Sequence, residues 1–236
     1  MGLNNSFSAV MNNKLSRGFG GSIAGVADPY VSGYHFISFT NLPSALNKYA
    51  GGMDNAQIGN LLSGACLSVT PPGGTLNKVE FTGLGGIKWS VPGNVDYGNS
   101  VSVKFLEFSG TPILNIFHGW VKMIRDYRSG VSNLSEGAYT KANYSALMYY
   151  WTTAPDAKTV EYYACYDGVF PTKDPQDLFA SDVETVGRVD PEIEFNVDYI
   201  WHEDWVKTNC TSYANDIFGL KAKVIETYGS TIGATK

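Results

Sequence analysis

The stretch Val101-Ser102-Val103-Lys104-Phe105, followed by Thr111-Pro112-Ile113-Leu114-Asn115-Ile116-Phe117-His118-Gly119-Trp120-Val121-Lys122-Met123-Ile124, changes its apolar period from two to that of a helix. Val101, Val103 and Phe105 alternate with polar residues, as a strand with one face in a core requires. Thr111 in the N-cap position and Pro112 at the first helical position then open a helix. Ile113, Ile116, Phe117, Trp120, Val121 and Ile124 line one apolar stripe along it. Lys122, Arg125 and Arg128 sit toward the negative end of its dipole, and Gly130 supplies a stop. This unit predicts an amphipathic helix packed against a sheet.

Working outward, most other elements read as strands. Tyr34 to Thr40 predicts a strand that ends at Asn41-Leu42-Pro43, where proline removes a ladder donor. Residues 50–75 carry GG, SG and PPGG and read as a long loop or excursion, with one short helix near Met53 to Leu62. Lys78 to Gly83 and Ile87 to Val91 flank a GLGG turn and read as a hairpin. Residues 131–143 are polar and turn-like. Tyr144 to Trp151 and Val160 to Tyr166 are aromatic-rich strands, and Gly168-Val169-Phe170-Pro171-Thr172 follows. In the last strand Ile193, Phe195, Val197 and Tyr199 are expected on a core face, with Glu192, Glu194, Asn196 and Asp198 on the other. The fold class expected is mainly β within α+β: an antiparallel β-sandwich or barrel with one flanking helix.

The composition sets limits on function. Of 236 residues, 44% are hydrophobic and 17% charged, enough to bury a core while leaving much uncharged polar surface. Cys66, Cys165 and Cys210 are scattered, odd in number and form no CxxC, so they read as free buried thiols. A net charge of −5 argues against a nucleic-acid clamp. Between Asp156 and Asp204, 13 acidic residues against three basic ones give −10, and the other nine acids against fourteen bases give +5. The N-terminal MGLNNSFSAVMNNK is too polar for a signal-peptide core, and no run reaches a membrane span. Residues 1–30, rich in Asn, Gly and Ser, read as an arm that becomes ordered only against something outside its own segment.

Catalytic and metal patterns are absent. His202-Glu203-Asp204-Trp205 lacks the second histidine of H-E-x-x-H and reads as a polar turn after the last strand. Glu192 and Glu194 lie at a spacing near that of glycosidase carboxylates, which strand geometry produces often. No nucleophile elbow, Walker motif or dinucleotide fingerprint occurs, so neither an enzyme nor a cofactor is expected.

The order of strand, Leu42-Pro43 corner, hairpin, strand, helix bearing Phe117 and Trp120, two strands, the turn Gly168, Val169, Phe170, Pro171, Thr172 and a final alternating strand resembles the tail tube proteins of contractile-tailed phages and the related type VI secretion tubes. The resemblance spans roughly residues 30–205. It implies a tube β-sandwich domain over 31–206, with insertions at about 50–75 and 131–143, between the 1–30 arm and a 207–236 C-terminal extension. It further implies a virion protein assembled in the host bacterial cytoplasm. The subunit would form hexameric rings stacked into a hollow tube, with a sheath protein outside and a tape-measure protein and then DNA in the lumen. The larger insertions leave open a main tube subunit or a specialised tube-end or baseplate ring of the same fold.

Under that reading Glu192, Glu194 and Asp198 form an acidic lumen or ring-contact face; as residues alone they are equally the solvated face of an outer strand. Ring contacts are expected from Met1 to Gly21, the 50–75 excursion and the tail after Trp205. A second class, a carbohydrate-binding β-sandwich, is motivated by Tyr149, Tyr150, Trp151, Tyr162, Tyr163 and Tyr166; a hydrolase is a distant third.

Overall fold

The computed structural model describes residues 34–126, 129–131, 140–154, 159–175 and 189–215. The 1–30 arm, most of the 131–143 insertion and residues 216–236 of the C-terminal extension lie outside them. Nine strands are described: β1 (His35–Thr40), β2 (Cys66–Thr70), β3 (Gly74–Thr82), β4 (Lys88–Tyr97), β5 (Ser100–Phe105), β6 (Ala146–Thr153), β7 (Val160–Pro171), β8 (Glu192–Asn196) and β9 (Tyr199–Trp201). The helices are α1 (Asn55–Ala65), α2 (Pro112–Ile124), the single turn α3 (Lys141–Tyr144), and α4, which runs from 204 to 215. The chain is thus mainly antiparallel β with few helices, the class its sequence predicts.

Seven strands form one antiparallel sheet in the order β1-β6-β7-β8-β5-β2, with β9 on β7. β7 is shared: Val160 to Val169 pair with β6, Cys165 to Asp167 also pair with β9, and Phe170 and Pro171 pair with β8. The sheet curls so far that its end strands approach each other, His35 Nε2 of β1 lying 2.9 Å from the Leu67 carbonyl of β2. Inward side chains from both halves, among them Ile37, Met148, Tyr166, Val103 and Phe195, meet in one core that α1 and α2 complete.

Helix α2 is buried as read at Ile113, Ile116, Phe117 and Trp120, while Val121 and Ile124 are half-buried and Leu114 and Met123 join the buried face. Trp120 stacks on Phe117, meets Phe195 edge-on and donates its Nε1 proton to the Tyr144 carbonyl at 2.6 Å. The helix start differs from expectation. Thr111 is left-handed (φ 53°) and its hydroxyl caps nothing. The carboxylate of Glu107 takes the role instead, accepting from the amides of Phe108, Ile113 and Leu114 at 2.9, 3.1 and 2.8 Å. Burial pushes the Glu107 carboxyl above its ordinary range, and these three bonds oppose the shift. The helix ends at Ile124, with Arg125 extended, so Gly130 closes the following turn and not the helix.

The 50–75 segment holds the short helix expected near Met53 to Leu62, as α1, and then a strand where loop was expected. Asp54 and Gln57 form a capping box that starts α1, whose Ile58, Leu61 and Leu62 enter the main core, and β2 follows without a break. Gly59 permits the close approach: a Cβ there would lie 3.1 Å from the Phe39 carbonyl of β1. Residues 202–205 lead into α4, where a polar turn was expected. Val206, Cys210 and Ala214, four apart, bury one helix face against Phe36, Tyr149, Trp151 and Cys165, forming a second core on the outer side of β1, β6 and β7.

Candidate assembly surface

The two halves of the sheet differ on their outer sides. The β1-β6-β7 side is covered by α4. On the β2-β5-β8 side the outward positions are Ser68, Thr70, Ser102, Lys104, Glu192 and Glu194, all exposed or half-exposed and none apolar. The pairing sets them in cross-strand rows, Ser68 opposite Lys104 opposite Glu192, and Thr70 opposite Ser102 opposite Glu194. Among the described residues no buried cluster forms on this side. A face of three hydroxyls, two carboxylates and the single ammonium of Lys104 offers polar groups to water and nothing to a hydrophobic partner.

Asp198 does not belong to this row. Strand β8 ends at Asn196, the chain kinks, and the Asp198 amide donates to the Asp167 carbonyl. The Asp198 carboxylate pairs with Lys141 Nζ at 2.5 Å and accepts from Asn196 Nδ2 at 3.0 Å. Lys141 also lies 5.0 Å above the Phe170 ring, which Tyr144 meets edge-on. Beyond the kink Tyr199, expected in the core, is 56% exposed because β9 pairs with β7 instead of continuing β8.

The segment around Gly168 is also strand and not turn. Gly168 (φ 70°) sits at a bulge within β7, its amide donating to Asp167 Oδ1, and Val169, Phe170 and Pro171 continue the strand. Thr172 then donates its amide and its hydroxyl to the Glu194 carbonyl. Phe170, Pro171 and Thr172 therefore fasten β7 to the strand carrying Glu192 and Glu194, just past the bulge at Gly168.

The predicted hairpin proves longer and separate. β3 and β4 form a two-stranded sheet that pairs with no other described strand. It continues the β2-β5 pair past Pro71-Pro72, and the Gly98 amide closes its base on the Gly73 carbonyl at 2.8 Å. Nine of the fifteen exposed large hydrophobic side chains among the described residues lie in this ribbon, from Leu76 to Tyr97. Leu84 at the tip is fully exposed and Trp89 is 52% exposed. Sequence reading placed assembly contacts elsewhere; the alternation of Ile87, Trp89, Val91, Val95 and Tyr97, broken only at Gly93, was the signal available.

The aromatic platform expected on β6 and β7 is not there. Tyr149, Tyr150, Trp151 and Tyr166 are buried, and of the six residues only Tyr162 is well exposed. A different cluster stands at β9, where Tyr199 and Trp201 rings are 4.4 Å apart and Trp201 and Trp205 rings 6.3 Å apart. His202 Nδ1 lies 3.0 Å from the Tyr163 carbonyl. Among the described residues no group of three or more His, Cys, Asp or Glu side chains could hold a metal ion. The three cysteines are buried thiols, as read, with burial pushing Cys165 and Cys210 up to about 12. No described helix is long and apolar enough to cross a membrane.

No family model and no curated protein matches the chain. Among solved structures it is similar to the PVC sheath/tube terminator of an extracellular contractile injection system in the extended state, at 13% identity and a TM-score of 0.46, with 75% of this chain and 98% of that one covered. It is similar to a chain of the anti-feeding prophage baseplate at 11% identity and a TM-score of 0.46, covering 75% and 96%. It is also similar to a chain of the PVC sheath-tube complex in the extended state, at 13% identity and a TM-score of 0.43, covering 75% and 92%.

Proposed function

We propose that the chain is a structural subunit of a contractile tail or injection tube, self-assembling into hexameric rings that stack around a lumen. The observation that carries this reading is the pairing of two opposed surfaces on one strand pair. With β8, strands β2 and β5 form a face of hydroxyls, the Glu192 and Glu194 carboxylates and one lysine, and the continuation of β2 and β5 is a ribbon lined with exposed apolar side chains. An apolar ribbon in water is an interface waiting for its cover. A polar, acid-bearing face is what a conduit for a polyanion needs, because it repels phosphate and lets DNA pass without sticking. The order of motifs along the sequence, from the Leu42-Pro43 corner to Glu194, supports the tube assignment. In this reading a sheath surrounds the tube, a tape-measure protein and then DNA occupy the lumen, and the particle is completed in the bacterial cytoplasm. A tube-end ring of the same fold is the variant of this reading.

The test is charge reversal of Glu192 and Glu194 to lysine in assembled tubes. Tubes carrying Glu192→Lys and Glu194→Lys are expected to form normally and to retain short double-stranded DNA that wild-type tubes release. Equal release by both would remove these residues from the lumen.

A further inference from the structure

The ribbon is apolar on both of its faces, but in different halves. On β3, Val79 and Phe81 are an odd number of residues from Leu76, so strand geometry sends them to the opposite face. Val79 pairs with Val91 and Phe81 with Trp89, giving a distal apolar quartet on one side. Leu76 pairs with Val95 and Gly74 with Tyr97, giving a proximal trio on the other. On β4 Trp89, Val91, Val95 and Tyr97 all fall at odd positions, interrupted only by Gly93, and a regular ladder would line them all on one face. The register shift opposite Leu76 to Lys78 moves Val95 and Tyr97 across. Gly93 sits at that shift, where a Cβ would meet the Asn77 carbonyl at 3.1 Å. Each half has a polar back: Lys78 and Glu80, ion-paired at 2.6 Å, lie behind the distal quartet, and Thr75, Asn77 and Asp96 behind the proximal trio.

A single flat partner would cover one apolar half together with the polar back of the other half, leaving the second apolar patch in water. We propose that the ribbon is clamped between two further copies of this chain, one on the Val79, Phe81, Trp89, Val91 face and the other on the Leu76, Val95, Tyr97 face. The proposal rests on the self-assembly reading above. The size of the patches favours copies over a one-off partner. Strands of nine residues are ~30 Å long, so each half-face is far smaller than the about 800 Å² per partner of a stable pairwise interface. Neither contact holds a dimer alone; both become effective when symmetry repeats them. The chain also carries an exposed aromatic patch outside the ribbon, Tyr199 of β9 and Trp205 of α4 joined through Trp201. Such a ribbon-to-elsewhere contact is heterologous and propagates into rings or stacks, with no stable dimer on the way.

Two variants separate the faces while keeping cross-strand pairing by opposite charges: Val79→Glu with Val91→Lys for the distal face, and Leu76→Glu with Val95→Lys for the proximal face. Both pairs lie outside the two cores, so circular dichroism and melting temperature should match wild type. Sedimentation velocity across concentrations then reads assembly. Wild type is expected to pass from monomer to large species without a dimer, and each variant alone to raise the threshold concentration at least about 100-fold, the loss of two buried apolar side chains. If wild type assembles and either variant assembles like it, the clamp is wrong and self-assembly stands. If wild type stays monomeric at every concentration, the self-assembly reading fails and the second-copy occupant with it.

Discussion

Asp198 occupies the space that a side chain on Gly168 would need: a Cβ built on Gly168 would lie 2.3 Å from Asp198 Oδ2. The bulge of β7 and the kink between β8 and β9 are therefore one feature. The Asp198 amide binds the Asp167 carbonyl, and its carboxylate reaches Lys141 across the vacated space. This junction holds the strand bearing Glu192 and Glu194 against β7.

Gly168→Ala should cost about 1–2 kcal/mol from the left-handed backbone alone, and more through the displaced carboxylate. The double variant Gly168→Ala with Asp198→Ala should be less destabilised than the sum of its singles, measured by urea unfolding. Additivity within about 0.5 kcal/mol would show that the two positions do not compete for space.

Glu107→Ala should lower stability by about 1–2 kcal/mol, the usual cost of losing a helix cap; Glu107→Gln keeps one acceptor and should lose less. Because burial raises the native carboxyl above its unfolded value, the native state holds the proton more tightly. Wild-type stability relative to Glu107→Gln should therefore be greatest below the ordinary glutamate pKa and fall as pH rises through the raised native value. Denaturant titrations from pH 4 to 7 check the sign; a relative stability that rises with pH would contradict it.

Cys165 and Cys210, buried and pushed up to about 12, should not react with a disulfide reagent at pH 8 in the native state. Labelling should appear only in denaturant. Rapid native labelling of Cys210 would mean that α4 is not docked on Phe36, Tyr149 and Trp151.

The barrel strands and α2 were legible because their apolar residues recur with long, unbroken periods. The misreadings have local causes. The short helix expected near Met53 to Leu62 is α1, but the glycines and prolines around it hid β2, which follows at Cys66; Gly59 is what lets the helix rest on β1. The buried stripe of α4 is small, Val206, Cys210 and Ala214, and gives a weak periodic signal. Tyr199 continued the alternation of β8 in sequence, but a partner switch to β7 turned it outward. The acidic pair Glu192 and Glu194 was found from sequence, whereas their neighbours Ser68, Thr70 and Ser102 become one face only through pairing. The split of the ribbon's apolar faces is invisible in β4 alone, since only the register with β3 reveals the shift.

The central claim is self-assembly around a lumen, and negative-stain electron microscopy of the purified chain tests it most directly. Hollow rods or six-fold rings built from the 25.6 kDa subunit are predicted. Isolated monomers at every concentration, with the apolar ribbon left in water, would contradict it.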